Sequence, residues 1–336
     1  MIINGREIGA GKPPYIIAEI SCNHGGYLDR ALQLIWWAKY AGADIVKFQC
    51  YEPQAMTIDC DRDDFIMKEG PWQGAKLWDL YREASTPYAW FPKIAAKAKE
   101  LKMPWFASVF DKRGVDVLEA CGVPAFKIAS FEITDIPLIK YAASKGKPMI
   151  LSTGMASYDE IIEAKACVPP AQRAVLQCVS AYPARIEDYD LSYYSSVLHG
   201  ISDHTLGHDL AVAATARGAR IIEKHLCLAR ELGGPDAGFS TEPHEFKKMV
   251  QAVRATWGAI QPKEAGTSSM EETSRQARRS LYCVKDIGKG QVVHEEHVRS
   301  VRPGYGLSPK EFDKVVGKKV ARDVGRGEAL TWEMFE

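Results

Sequence analysis

The chain has 336 residues, 46% hydrophobic and 26% charged, which suits a globular protein with a large core and room for two domains. Lys plus Arg and Asp plus Glu are both 43, so the formal net charge is zero and gives no electrostatic reason to expect nucleic acid or an anionic membrane as partner. The opening residues lack the pattern of a secretory signal, and no apolar run approaches the roughly 20 residues of a membrane span, so a cytoplasmic location is expected. The eight Cys residues are scattered without a Cys-x-x-Cys pair, which predicts free thiols rather than disulfides or a zinc site.

Short β-rich runs alternate with segments of helical spacing. The predicted strands are 15–20, 44–50, 105–109, 125–129, 148–152, 174–179, 198–202 and 220–225. Helical spacing lies between most of them, at 31–40, 92–102, 115–120, 136–144 and 159–166. Gly42, Gly122, Gly146 and Gly218 stand where helix C-caps precede a strand. This alternation predicts a (β/α)8 TIM barrel over 1–260. The stretch 52–92 is too long for a simple βα unit and reads as an extended loop, with some helix, over the barrel mouth. Residues 261–279 have no apolar stripe and read as a linker. Short segments at 280–284, 298–303 and 317–321 then predict a small β-rich domain over 280–336.

In such a barrel, reacting groups come from the C-terminal ends of several strands. Those ends carry Glu19 with Asn23 and His24, Lys47 and Gln49, Ser108 and Asp111, and Lys127, Ser130 and Glu132. They continue with Ser152 and Thr153, Ser180 and Tyr182, Asp203 and His204, and Lys224 and His225. Burying unpaired charges is costly, so these groups converge on a ligand or on one another. Lys47, Lys127 and Lys224, with the hydroxyls of Ser108, Ser130, Ser152 and Thr153, suit a phosphate or carboxylate. The bland alternative pairs the lysines with Glu19, Glu132 and Glu223 in a structural network, and a Schiff-base lysine is a further alternative. His204 and His225, on adjacent predicted strand ends, suit one divalent metal with an open coordination sphere, a Lewis acid of the manganese or magnesium type.

Six strings carry a resemblance: Ile17-Ala18-Glu19-Ile20-Ser21-Cys22-Asn23-His24-Gly25-Gly26, Val46-Lys47-Phe48-Gln49, Lys127-Ile128-Ala129-Ser130-Phe131-Glu132, Ser152-Thr153-Gly154-Met155, Ser202-Asp203-His204-Thr205 and Glu223-Lys224-His225. In this order they resemble the sialic acid synthase family. The tail around Arg302-Pro303-Gly304-Tyr305-Gly306 is similar to that family's antifreeze-like (SAF) domain. Phe131-Glu132-Ile133-Thr134-Asp135, Ser180-Ala181-Tyr182-Pro183 and Gly233-Gly234-Pro235-Asp236 look like the branch that makes pseudaminic acid. Ala237-Gly238-Phe239 departs a little from that branch, and the segments 167–173 and 193–200 look short for the family.

The resemblance implies a transferase that condenses phosphoenolpyruvate with an N-acetylated amino sugar to give a nonulosonic acid and phosphate. For this branch the sugar is 2,4-diacetamido-2,4,6-trideoxy-β-L-altropyranose; N-acetylneuraminate or legionaminate synthesis is the alternative. It implies that Lys47, Lys127, Ser130 and Ser152 hold phosphoenolpyruvate, with Ser108, Ser180 and Ser202 alongside. Gln49, Tyr182 and Asp236 would face the sugar, with Glu19 or Glu132 handling protons. His204 and His225 would bind the metal, manganese being expected and magnesium or cobalt the alternatives. Arg302 would come from the small domain of a partner in a domain-swapped homodimer. A non-catalytic polysaccharide-binding module is the rival of a different class, and the many polar strand ends argue against it.

Overall fold

The structure is a computed structural model and describes residues 1–70, 72–193, 198–264 and 268–336. Its contacts divide the chain into two compact units, Met1–Gln261 and Pro262–Glu336. The first opens with a two-stranded hairpin, β1 (Ile2–Ile3) and β2 (Arg6–Glu7), which buries Ile3 and Ile8 in the main core.

Eight parallel strands then close into a barrel. They are β3 (Tyr15–Glu19), β4 (Ile45–Cys50), β5 (Trp105–Val109), β6 (Phe126–Ile128), β7 (Met149–Ser152), β8 (Arg173–Cys178), β9 (Gly200–Asp203) and β10 (Ile221–His225), with β10 pairing back to β3. Every predicted strand is present, within two residues at each end. The reason is burial on both sides: a barrel strand packs against the helices outside and the interior within, so its apolar run is nearly continuous and ends where the polar cluster begins.

The helices follow from one-sided patterning. Leu28–Ala41 buries Ala31, Leu34, Ile35, Ala38 and Ala41, which recur at three- and four-residue spacing and so share one face. Gly42 ends it in the left-handed region at φ 90°, where a side chain would be strained. Ser157 and Glu160 form a reciprocal capping box on Tyr158–Ala166. Two helices not picked out by sequence pattern, Asp209–Ala216 and Pro243–Ile260, follow β9 and β10 and pack together. In the first of them, an Ala-rich run with apolar residues on all sides offered no amphipathic contrast to read.

The insertion 52–92 holds short helices, the longest being Leu77–Ala84, and one isolated antiparallel bridge between Ile66 and Lys76. The short segment predicted at 193–200 lies partly outside the described residues, as does part of 261–279. In the second unit, β11 (Ser280–Cys283) pairs antiparallel with β12 (Val298–Val301) over a core that includes Leu281, Val293, Val320 and Leu330. Residues 317–321 form no continuous strand. Lys319 bridges Val292 and Val320 bridges Phe335, because neighbours on two sides share its backbone groups one at a time. Short helical turns at Ser269–Glu271 and Glu272–Arg275 occur within the predicted linker. No described helix is long and apolar enough to cross a membrane, and all eight cysteines are free thiols.

Candidate active site at the barrel mouth

Side chains alternate along a strand, so residues i and i+2 at each C-terminal end point into the barrel. A cavity of about 610 Å³ opens there. It is lined by such pairs: Glu19 and Ser21, Lys47 and Gln49, Ser108 and Phe110, Lys127 and Ala129, Ser202 and His204, and Glu223 and His225. Ser152 and Cys178 line it from β7 and β8, and Ser130, Glu132, Tyr182 and Asp236 from the loops. The insertion 52–92 adds an apolar wall with Met56, Met67, Leu77 and Leu80, while Trp72 from the same segment packs near Tyr182 and donates to the Pro235 carbonyl at 3.3 Å.

The floor is a charge network. Lys47 Nζ lies 3.2 Å from Glu19 Oε2, 3.1 Å from Glu223 Oε1 and 3.2 Å from Ser108 Oγ. Lys127 Nζ donates to Ser152 Oγ at 2.6 Å and sits 3.8 Å from Glu223 Oε1. Ser202 Oγ donates to the same Glu223 oxygen at 3.0 Å. Burial lowers Lys127 to about 8, with Glu223 opposing the shift. Burial works against charge on Glu223, but Lys127 and then Lys47 outweigh it and hold that carboxyl below its usual range. Burial pushes Glu19 up, against the pull of Lys47 and with help from Glu223. Thus Lys47 and Lys127 serve at once in the pairing with Glu19 and Glu223 and in the anion-binding cluster, while Glu132 Oε2 stands without a hydrogen-bond partner. The two lysines are preorganised by carboxylates, and their hydroxyl neighbours are donors for an oxyanion.

Alternation also corrects the sequence reading. Lys224 does not join the other two lysines: it projects outward between Glu223 and His225, and pairs with Asp203 Oδ2 at 2.8 Å and the Thr205 carbonyl at 2.7 Å. Asp111 caps the helix Lys112–Ala120 by accepting from Gly114 N at 2.6 Å. Thr153 is spent on the Leu176 carbonyl. Asn23 and His24 serve the turn after β3, as their hydrogen bonds below show. Ser180 is not among the cavity-lining residues. Its hydroxyl lies against Gly154, where a Cβ would come within 2.2 Å of Ser180 Oγ and 2.9 Å of Ser130 Oγ, so only glycine fits. Arg302 is an exposed residue of the second unit. The loop that follows it is braced by buried Ser280, whose hydroxyl donates to the Pro303 carbonyl at 2.7 Å and accepts from Gly306 N at 2.9 Å. Ser21 and Cys178 were missed as lining residues; counting i and i+2 from each strand end would have found both.

His204 and His225 face each other with ring centroids 5.3 Å apart. His204 Nδ1 donates to the Val179 carbonyl at 2.8 Å, which makes Nε2 the nitrogen that would meet an ion. His225 Nδ1 is buried without a hydrogen-bond partner, 3.7 Å from Asp236 Oδ2. Burial, then His204, holds His225 well below the usual imidazole range, so it is neutral. Among the described residues no group of three or more His, Cys, Asp or Glu is arranged to hold a metal ion by itself. Burial opposes charge on His204, but the neighbouring Cys178 thiol and the Val179 carbonyl outweigh it and raise that imidazole above its usual range. The imidazole pair with Asp236 beside it still fits an ion that displaces the His204 proton and takes its remaining ligands from water or substrate.

Glu132 is pushed up from 4.5 to about 7 by burial, with Lys127 opposing, and its Oε2 has no hydrogen-bond partner. The unfolded chain ionises this group near its ordinary value while the folded chain keeps the proton longer, so folding stability falls as pH rises through that interval. Glu132→Gln is therefore expected to match the native chain at pH 4.5 and to gain on it by about 2 kcal/mol by pH 7 to 8. Denaturant titrations across that range measure the difference, and a constant offset would rule out the perturbed carboxyl.

Residues 34–265 match the model of the NeuB family. The chain belongs to the NeuB family. Residues 278–336 match the SAF domain. The chain is 40% identical over 334 residues to a pseudaminic acid synthase of Campylobacter jejuni, covering 97% of each. It is 31% identical to an N,N'-diacetyllegionaminic acid synthase of Legionella pneumophila, covering 99% of this chain and 98% of that one. Among solved structures, the N-acetylneuraminic acid synthetase of Leptospira borgpetersenii in complex with citrate aligns with a TM-score of 0.71 at 30% identity, over 82% of this chain and 94% of that one. The NeuB-family chain is thus a TIM barrel followed by an SAF domain, as expected.

Proposed function

We propose that this NeuB-family chain is a pseudaminic acid synthase. It condenses phosphoenolpyruvate with 2,4-diacetamido-2,4,6-trideoxy-β-L-altropyranose and water to give the nonulosonic acid and phosphate. The observation that carries this reading is the 40% identity to the Campylobacter enzyme across 97% of both chains. The cavity supports it chemically. Lys47 and Lys127, with Ser108, Ser130, Ser152 and Ser202, make a donor-rich floor for the phosphate and carboxylate of phosphoenolpyruvate. Ser180 is set back from the cavity, packed beside Gly154 with its hydroxyl near Cys178 and Tyr182. Gln49, Tyr182 and Asp236 line the cavity nearer the mouth and face the sugar.

The enol carbon bonds to the sugar's aldehyde carbon, water adds at the former enol C2, and the C–O bond to phosphate then breaks. Glu132 holds a proton near neutral pH and is the candidate to exchange it with the new hydroxyl. Glu19, buried beside Lys47, is the alternative. His204 and His225 would hold a divalent ion, manganese expected, which supplies Lewis-acid polarisation of a carbonyl when bound. Holding both substrates on one rigid barrel end supplies the orientation that a bimolecular reaction otherwise lacks. A domain-swapped homodimer that brings Arg302 of a partner subunit to the sugar, and a cytoplasmic location, belong to the same reading.

The Legionella relative supports a second reading, in which the sugar is the diacetamido precursor of legionaminate. A panel assay decides. The protein is incubated with phosphoenolpyruvate, a divalent metal and each N-acetylated sugar in turn, and phosphate release is followed. Preference for the altro sugar is expected, preference for another sugar reassigns the substrate, and no release with any would overturn the reaction.

A further inference from the structure

Ser21 is a buried non-glycine residue with φ 49°, placed two residues after Glu19 on the inward side of the barrel end. That left-handed backbone suits glycine, and a serine holds it only when its surroundings impose it. The following residues impose it here. Asn23 Nδ2 donates to Ser240 Oγ at 2.8 Å and to the Leu226 carbonyl at 3.1 Å. His24 Nδ1 accepts from Gly26 N at 3.1 Å, which leaves its Nε2 hydrogen for Thr86 Oγ1 at 3.1 Å. The turn is thereby fastened both to the loop after β10 and to the insertion.

The hydroxyl this backbone presents is fully used. Gln49 Nε2 donates to Ser21 Oγ at 3.0 Å, and Ser21 in turn donates to Asp236 Oδ2. The same Gln49 nitrogen lies 3.2 Å from Glu19 Oε1, and the same Asp236 oxygen lies 3.7 Å from His225 Nδ1. Ser21 therefore joins Gln49 on β4 to Asp236 on the loop after β10, two groups that line the cavity from opposite ends of the chain.

We propose that Ser21 is a positioning residue for the amino sugar: its hydroxyl fixes Gln49 and Asp236 as one polar surface. The assignment rests on the proposed reaction, in which those two side chains meet the sugar. Ser21 acts through them, which makes it distinct from the lysine and serine floor for phosphoenolpyruvate. The strained backbone is kept because it aims the hydroxyl at both partners.

Ser21→Gly separates this role from a structural one, because it removes the hydroxyl while relieving the backbone. Ser21→Ala removes the hydroxyl and keeps a Cβ at the strained position. Both variants are assayed with phosphoenolpyruvate and the 2,4-diacetamido-2,4,6-trideoxy sugar, and their Tm is measured. KM for the sugar is expected to rise about tenfold in both, with KM for phosphoenolpyruvate within about twofold of native. The Tm of Ser21→Gly should be no lower than native and that of Ser21→Ala lower. Adding Ser21→Gly to Gln49→Ala should raise the sugar KM little further, because the two losses overlap. A native sugar KM in Ser21→Gly would overturn the proposal, as would an equal rise in both KM values or full additivity with Gln49→Ala. If the native protein releases no phosphate with any sugar, the reaction reading fails and takes this assignment with it; native turnover with an unaltered Ser21→Gly variant removes the Ser21 assignment alone.

Discussion

Lys47→Met is expected to destabilise the barrel unit by about 3 to 5 kcal/mol and to remove measurable turnover. Lys47 Nζ is buried within 3.2 Å of both the Glu19 and Glu223 carboxylates, and neither of those groups reaches solvent. Taking the cation away leaves two carboxylates buried at the cavity floor with Lys127, 3.8 Å from Glu223, as the nearest compensation. The variant should recover stability as pH falls from the raised folded values toward the ordinary carboxylate value, because the orphaned acids then fold in their neutral form, and lose it again as pH rises. Adding Glu223→Gln should restore part of the stability at neutral pH without restoring activity. Chemical denaturation at several pH values, paired with phosphate release, measures both. A Lys47→Met protein as stable as the native chain would mean that the network is not the buried, charged assembly described above.

The second large effect falls on the imidazole pair. His204→Ala and His225→Ala are each expected to lower kcat by about a thousandfold, the scale of several kcal/mol of lost electrophilic assistance. Each should also abolish uptake of Mn2+, followed by the electron paramagnetic signal of free ion. Loss of fold does not explain such a result if the stability change is small. His204 gives up its hydrogen bond to the Val179 carbonyl, worth about 1 kcal/mol, and a weaker 3.8 Å contact with Cys178 Sγ, and His225 Nδ1 has none to lose. Chelation of the native protein should reproduce the loss and added Mn2+ should reverse it. Full activity with either histidine removed, or Mn2+ uptake unchanged in both variants, would dismiss the pair as ligands.

Much of the architecture was legible because barrel strands are buried on both faces. The runs Ile45–Cys50 and Trp105–Val109 could be read as strands from their apolar content alone, and their polar ends marked the mouth. Asp209–Ala216 was not, since an alanine-rich helix with apolar residues on all sides has no periodic signal. Lys224 shows a different limit. Its motif places it between two cavity residues, and only the strand's alternation sends it outward to Asp203. Residues 317–321 have strand-like composition, yet their partners come from two directions and no ladder forms. Such pairing depends on neighbours far along the chain, which local propensity does not encode.

The amino-acid sequence by itself determined the alternation of strands and helices, the polar residues at the strand ends and the family signature at Lys47, Lys127, His204 and His225. Those are properties of local pattern and side-chain chemistry. Tertiary structure decided which groups meet. Closing β10 onto β3 brings Glu223 to Lys47 and Asp236 to Ser21, contacts across most of the chain whose partners no local spacing specifies. It also decided which side chains turn away, because inward and outward on a strand differ by a single residue of register.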